Sequence, residues 1–256
     1  MKTFTQYYQH GDSMWEITIK SNLEHQNALT YISTMLFDHF ANKVVIGRYA
    51  GRTPCLSIAT KDEFKNEVWD FLRRLLCDVF CEQFKYEFLK NNITFISSES
   101  KFFQPFIKVY TYFDLELEHS IAYRMLECMP SINLESYLNF KLHPLKNKWK
   151  DLCSITNNNS SAFLSSETFL SLLKFLIDNL DYRTDSVVVS LQDNCMLYED
   201  KSTNEQVFQA LDKNEMQVIC SLIDLSPRKI ILHKNAKMHD LQQLIVELFD
   251  TRVQTV

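Results

Sequence analysis

Apolar positions recur along this chain with two different periods. Trp15, Ile17 and Ile19 alternate with Glu16, Thr18 and Lys20, the period of two that marks a strand with one buried face. Leu23, Ala28, Leu29, Ile32, Met35, Leu36 and Phe40 then fall mostly on one side of a helix. Lys43–Tyr49 and Pro54–Ala59 read as two short strands about a turn at Gly51. From Asp62 to Lys90 the pattern predicts one long helix. Phe64, Val68, Phe71, Leu72, Leu75 and Val79 make its first apolar stripe, and Cys77, Cys81, Phe84 and Phe88, at i, i+4, i+7 and i+11, make a second on roughly the opposite side. A helix apolar on two sides is held between layers.

Glu99–Met129 predicts an aromatic-rich helical stretch after Pro105 that stops before Pro130. Leu134–Ile155 predicts a helix that Pro144 restarts, because an interior proline removes an amide donor and clashes with the preceding turn. His143 is placed to cap the restart. The run Asn157–Ser161 reads as an exposed linker. A helix capped by Ser165 or Ser166 follows, with Phe169, Leu172, Leu173, Leu176, Ile177 and Leu180 on one face. Val187–Leu191 and Cys195–Tyr198 form a hairpin about Asp193 and Asn194. Val207–Leu225 reads as mostly helix, Lys229–His233 as a buried strand, Met238–Phe249 as a helix and Arg252–Val256 as a last strand. Strand, helix, strand implies a parallel pair.

The fold class that follows is α+β and helix-dominated. An N-terminal α/β part spans 1–60, a central helical part 61–183, and a C-terminal α/β part 184–256 with a small mixed sheet of hairpin plus strand-helix-strand. One or two compact domains accommodate a chain of 256 residues.

Composition narrows the chemistry. The chain is 46% hydrophobic and 23% charged, which places it among folded proteins rather than disordered ones. It has only three glycines, Gly11, Gly47 and Gly51, where average usage would give about 18. A Walker loop needs two glycines bracketing four residues, a dinucleotide fingerprint needs three, and a hydrolase elbow needs Gly-x-Ser-x-Gly. None of these is present.

The net charge of -5 gives no global pull toward nucleic acid or anionic lipid. Seven scattered cysteines without a Cys-x-x-Cys pair suit free thiols in a reducing compartment. The first residues carry no apolar leader, and no stretch is apolar enough for a membrane span. A cytoplasmic location is expected.

Three constellations bear on function. Cys77 and Cys81 have i, i+4 spacing suited to two thiolates on one metal, but their stripe continues into Phe84 and Phe88, so they read as packing residues. Lys146, Lys148 and Lys150 around Trp149 spread over different helix faces and read as a solvated surface with one anchored tryptophan. Ser226–Lys237 is a basic run without an acid that flanks a buried strand. Arg228 and Lys229 sit at its start, and His233, Lys234 and Lys237 at its end, where ligands of α/β sheets gather. Strand alternation separates Arg228 from Lys229 and His233 from Lys234, so these groups converge only at the strand ends. They are the candidate contacts to an anion or an acidic partner. No catalytic, cofactor-binding or metal residue is assigned.

The same segment carries a resemblance. Ile219–His233, followed by a helix and Leu248–Val253, resembles the C-terminal part of the YtxC-like family of sporulation-associated proteins. Tyr137–Leu142 resembles that family's Asn-Phe-Arg-Leu segment, with Lys141 in place of arginine, and Phe169–Ile177 resembles its helix leading into the hairpin. The similarity runs from about Phe113 to Val253. It implies a cytoplasmic protein of an endospore-forming bacterium, and none of its motifs is catalytic.

The reading that follows is a non-enzymatic interaction or assembly protein with a protein partner, without a cofactor and with nucleic acid disfavoured. The alternatives are a phosphate or nucleic-acid binder using the basic strand ends, and a thiol-dependent enzyme. The sequence leaves the oligomeric state open.

Overall fold

The structure is a computed structural model that describes residues 13–96, 100–158, 166–192, 195–200, 205–210, 215–233 and 239–256. In chain order its elements are β1 (Met14–Lys20), α1 (Gln26–Phe40), β2 (Val44–Tyr49), β3 (Cys55–Lys61), α2 (Lys65–Asp78), a π-helical turn (Val79–Phe84) and α3 (Lys85–Asn92). There follow α4 (Phe103–Tyr112), α5 (Leu115–Met125), β4 (Ser131–Asn133), α6 (Leu134–Phe140), α7 (His143–Asn158), α8 (Ser166–Asp178) and β5 (Thr184–Gln192). The chain closes with β6 (Cys195–Asp200), β7 (Glu205–Ala210), α9 (Glu215–Leu225), β8 (Pro227–Leu232), α10 (His239–Phe249) and β9 (Val253–Thr255). This is a helix-dominated α+β fold with two small sheets. It divides into two units, residues 1–85 with 115–148 and residues 86–114 with 149–256.

In the first unit the sheet order is β2-β3-β1-β4. β1 and β2 flank β3 antiparallel, and β4 joins β1 in parallel. The alternation in β1 sets Ile17 opposite Ile58 and Ile19 opposite Leu56, with Ile132 of β4 beside Ile19. All five are at most 1% exposed. α1 covers this face with Ala28, Leu29, Ile32, Leu36 and Phe40, and α2 with Val68, Leu72 and Leu75. Each of these leucine, isoleucine, valine and phenylalanine side chains contributes about 1.5–3 kcal/mol before chain entropy is set against it.

In the second unit the order is β7-β6-β5-β8-β9. The hairpin side is antiparallel, and β5, β8 and β9 run parallel. Val187, Val189, Ile230 and Leu232 bury one sheet face in a core with Leu173 and Ile177 of α8, Ile219 and Leu222 of α9, and Leu241, Ile245, Leu248 and Phe249 of α10. The predicted parallel pair of the last two strands is β8 with β9, in the register Ile230 to Val253.

With so few glycines, left-handed backbone falls to other residues. Asp114 (φ 58°) separates α4 from α5, Ser226 (φ 35°) ends α9, and Asp250 (φ 30°) ends α10. Ser226 closes its helix through its amide, which donates to the Leu222 carbonyl at 2.9 Å.

Several boundaries differ from expectation. The 62–90 helix is continuous, but Val79–Phe84 is wound as a π turn, which periodicity alone does not reveal. The stretch expected as one helix after Pro105 breaks at Asp114, and Ser131–Asn133 is a strand because β1 offers it an edge. His143 does not cap α7 through its side chain. Its Nδ1 lies 3.2 Å from the Phe140 carbonyl instead, and Pro144 occupies the first turn, where its missing donor costs nothing. Asn157 belongs to α7, not to a linker: its side chain accepts from the Thr94 amide (2.9 Å) and donates to the Asn92 carbonyl (2.9 Å). The helix expected over Val207–Leu225 begins only at Glu215, since β6 recruits Glu205–Ala210 as β7. Residues 159–161 of the expected linker, Ser165, Asp193 and Asn194 lie outside the described residues.

Candidate functional site

Because β5, β8 and β9 run parallel, the residues that precede or open them reach one end of the sheet. Arg183 precedes β5, Arg228 and Lys229 open β8, and Arg252 precedes β9. The Arg183 amide donates to the Ser226 carbonyl at 3.0 Å, which joins the first two starts. The Arg228 guanidinium lies 5.4 Å and that of Arg252 4.7 Å from the ring centre of Tyr182, while Arg183 sits 3.7 Å over Tyr112. Cations over aromatic faces are attracted by the ring quadrupole, more so when partly desolvated.

These four cations do different work. Arg252 is 5% exposed and donates to the carbonyls of Ile177 (2.6 Å) and Pro227 (3.4 Å), so it clasps the end of α8 to the start of β8. Burial pulls its pKa below the usual guanidinium value. Arg183, Arg228 and Lys229 are exposed, and no carboxylate among the described residues lies within ion-pair distance of them. The neighbouring Asp224 is already engaged, accepting from Lys108 Nζ (2.9 and 3.0 Å) and the Tyr112 hydroxyl (2.5 Å).

His233 is exposed at the other end of β8, about 16 Å away at the usual strand rise. Its amide donates to Val189 (3.0 Å) and its carbonyl accepts from Gln242 (2.9 Å). Lys234 and Lys237 lie outside the described residues. Arg228 and Lys229 thus share one end of the sheet, and His233 does not join them.

Of the six described thiols, Cys77, Cys81 and Cys153 are buried, Cys55 and Cys220 half-buried, and Cys128 exposed. Cys77 and Cys81 are 2% and 0% exposed in the core of the first unit. Burial pushes the Cys77 thiol up to about 12, and Cys81 is raised by burial and then by the Glu118 charge. Burial also pushes Cys153 up to about 11 and Cys220 up to about 12. A thiol kept protonated is a poor nucleophile.

Around the π turn the first unit gathers charge. Lys85 Nζ lies 2.9 Å from Glu118 Oε2, and Lys148 Nζ lies 3.5 Å from Glu118 Oε1. Lys148 therefore turns inward rather than sharing a solvated surface with Lys146 and Lys150, while Trp149 is buried as the pattern required. Beside this group the Tyr31 hydroxyl donates to Asp78 Oδ2 (2.8 Å), and His119 Nδ1 lies 3.8 Å from Asp78 Oδ1. Burial and the charges of Asp78 and Glu82 raise the Tyr31 pKa, so the phenol stays a donor.

A sequence profile of the YtxC-like family matches residues 71–254. The chain belongs to the YtxC-like family. No curated protein and no solved structure was found to match it. In this YtxC-like chain the matched region opens inside α2 and closes inside β9. It therefore takes in the π turn, Lys85, Glu118, His119 and all four strand-start cations. Among the described residues no helix is long and apolar enough to cross a membrane.

Sequence reasoning did not single out Arg183, Arg252, Lys85 or Glu118 in this family member. Lys85 had a usable signal: it stands four residues after Cys81 on the second apolar stripe, where a charge must be paired to be buried. Arg183 and Arg252 had none, since only parallel pairing brings their positions beside Arg228.

Proposed function

We propose that this YtxC-like chain is a non-enzymatic interaction protein of the cytoplasm of endospore-forming bacteria, and that it holds an acidic protein partner through Arg183, Arg228 and Lys229. The observation that carries the reading is this set of exposed cations at one end of the second sheet, with Arg228 beside the half-exposed ring of Tyr182, Arg183 over Tyr112, and no carboxylate among the described residues within ion-pair distance of them. Arginine on an aromatic face is preorganised for carboxylate recognition, because the fork geometry is held before the partner arrives. The raised thiols of Cys77, Cys81, Cys153 and Cys220 speak against these four as the nucleophile of a thiol-dependent enzyme.

The test titrates the full chain with poly-L-glutamate, pyrophosphate and a short oligonucleotide at 50 and 300 mM salt. The polypeptide should bind with marked salt dependence, and the double variant Arg183→Glu/Arg228→Glu should lose at least tenfold in affinity at unchanged melting temperature. Preferential binding of pyrophosphate or the oligonucleotide would overturn the acidic-protein reading in favour of a phosphate binder. Absence of all binding at low salt would end both.

A further inference from the structure

We propose that Asp78, Glu82 and His119 form a divalent-cation site in the first unit, with two carboxylate oxygens and one imidazole nitrogen as its ligands. The three side chains come from different elements: Asp78 is the last residue of α2, Glu82 stands in the π turn, and His119 is on α5. One ligand atom from each lies within 4.8 Å of the other two, and all three residues are half-buried. Asp78 Oδ1 and His119 Nδ1 lie 3.8 Å apart. A tetrahedral ion with bonds of about 2.1 Å keeps its ligand atoms about 3.4 Å apart, so side-chain adjustment of less than an ångström brings this pair onto one ion.

The surroundings assign the roles. The Tyr31 hydroxyl holds Asp78 Oδ2 at 2.8 Å, which fixes the carboxylate with its Oδ1 toward the histidine. Such an outer hydrogen bond orients a ligating carboxylate. Glu118, next to His119 in sequence, is taken up by Lys85 and Lys148 and stays out of the set. Cys77 and Cys81, one position before Asp78 and Glu82 along the same helix, are buried in the core, so the ligand pair at i, i+4 spacing is the carboxylate pair and not the thiol pair.

The donor set selects the ion. An imidazole with two carboxylates suits zinc, manganese or ferrous iron better than calcium or magnesium, which prefer oxygen alone. Two carboxylates also balance the ion's charge at a half-buried position, and three protein ligands leave at least one position to water. The π turn, a winding often found at functional sites, is the element that carries Glu82.

The experiment uses the full chain stripped with chelator and titrated with cobalt(II) and zinc(II). One cobalt should bind per chain, giving ligand-field bands of an oxygen and nitrogen site without thiolate charge transfer. Zinc should displace it and raise the melting temperature. Glu82→Gln and His119→Gln should each weaken zinc at least tenfold while leaving the metal-free melting temperature within about a degree. Failure of the wild-type chain to bind cobalt or zinc at tens of micromolar, a thiolate charge-transfer band, or zinc affinity unchanged in both variants would overturn the assignment. The wild-type spectrum decides even if a variant fails to fold, and none of these outcomes bears on the acidic-partner reading.

Discussion

Lys85 Nζ and Glu118 Oε2 lie 2.9 Å apart with side chains 0% and 1% exposed, a fully enclosed ion pair at the end of the π turn. Burial draws the lysine below its ordinary pKa, and the Glu118 charge works in the opposite sense. Removing one partner strands a charge, whereas replacing both with apolar groups removes the desolvation cost with the attraction. Lys85→Met is therefore expected to cost about 3–5 kcal/mol, and Lys85→Met/Glu118→Leu to recover only part of it, because the double variant also takes from Lys148 the carboxylate 3.5 Å from its Nζ. Urea midpoints of the two single variants and the double variant check this; a loss in the double variant equal to the sum of the two single losses would show that the residues are not coupled.

Stability should fall on the alkaline side. The thiols of Cys153 and Cys77 are pushed up from 9.0 to about 11 and about 12, with burial as the first cause. Above pH 9 an unfolded chain sheds thiol protons that the folded chain keeps, so the folded state binds more protons and loses ground as pH rises. The contribution is complete below pH 9 and declines toward pH 11. Urea unfolding at pH 8 and pH 10 measures it, and Cys77→Ala/Cys153→Ala should flatten the slope. An unchanged slope in that variant refutes the assignment.

Ser226 combines two unfavourable features in one buried residue. Its φ is 35°, and its Oγ has no hydrogen-bond partner among the described residues. Glycine tolerates that backbone and leaves no orphaned hydroxyl. Ser226→Gly is expected to gain about 1 kcal/mol net of the extra freedom glycine gives the unfolded chain. Thermal unfolding monitored by circular dichroism reads the change, and a lower melting temperature would show that the serine is favoured where it stands.

α10 closes the core of the second unit with Leu241, Ile245, Leu248 and Phe249, all 0% exposed. Leu248→Ala should cost about 2–5 kcal/mol, the transfer loss plus the cavity left behind. Val246 on the same helix is 42% exposed, and Val246→Ala should stay within about 0.5 kcal/mol. Similar losses at both positions would mean that the helix is not seated as described.

The elements most legible in the sequence are those whose burial follows a single period. β1 alternates cleanly because one of its faces is buried, and α10 shows its stripe because one side is buried against α8 and β9. β4 was not legible, since three residues carry too little pattern and its existence depends on an edge supplied by β1. β7 was misread because Val207 and Phe208 suit either period until β6 pairs with them. Sites obey the same rule. Arg228 and Lys229 stood out because they are adjacent in sequence, whereas Arg183, Arg252 and His119 meet their neighbours only in space.

The division of the chain at Lys85/Tyr86, Asp114/Leu115 and Lys148/Trp149 has a consequence for anyone who cuts it. The first unit can close on the ribosome once residue 148 has emerged, but until then it must tolerate a 29-residue insertion, 86–114, whose partners are not yet made. That insertion brings Phe103, Phe106, Ile107 and Val109 to the core of the second unit. A fragment starting at Trp149 therefore lacks one wall of its own interior, and a fragment ending at Lys148 displays that wall to solvent as a sticky apolar surface. Interaction mapping with such halves would register the mismatch as binding, so exchanges between family members need to move 86–114 together with the segment from 149 onward.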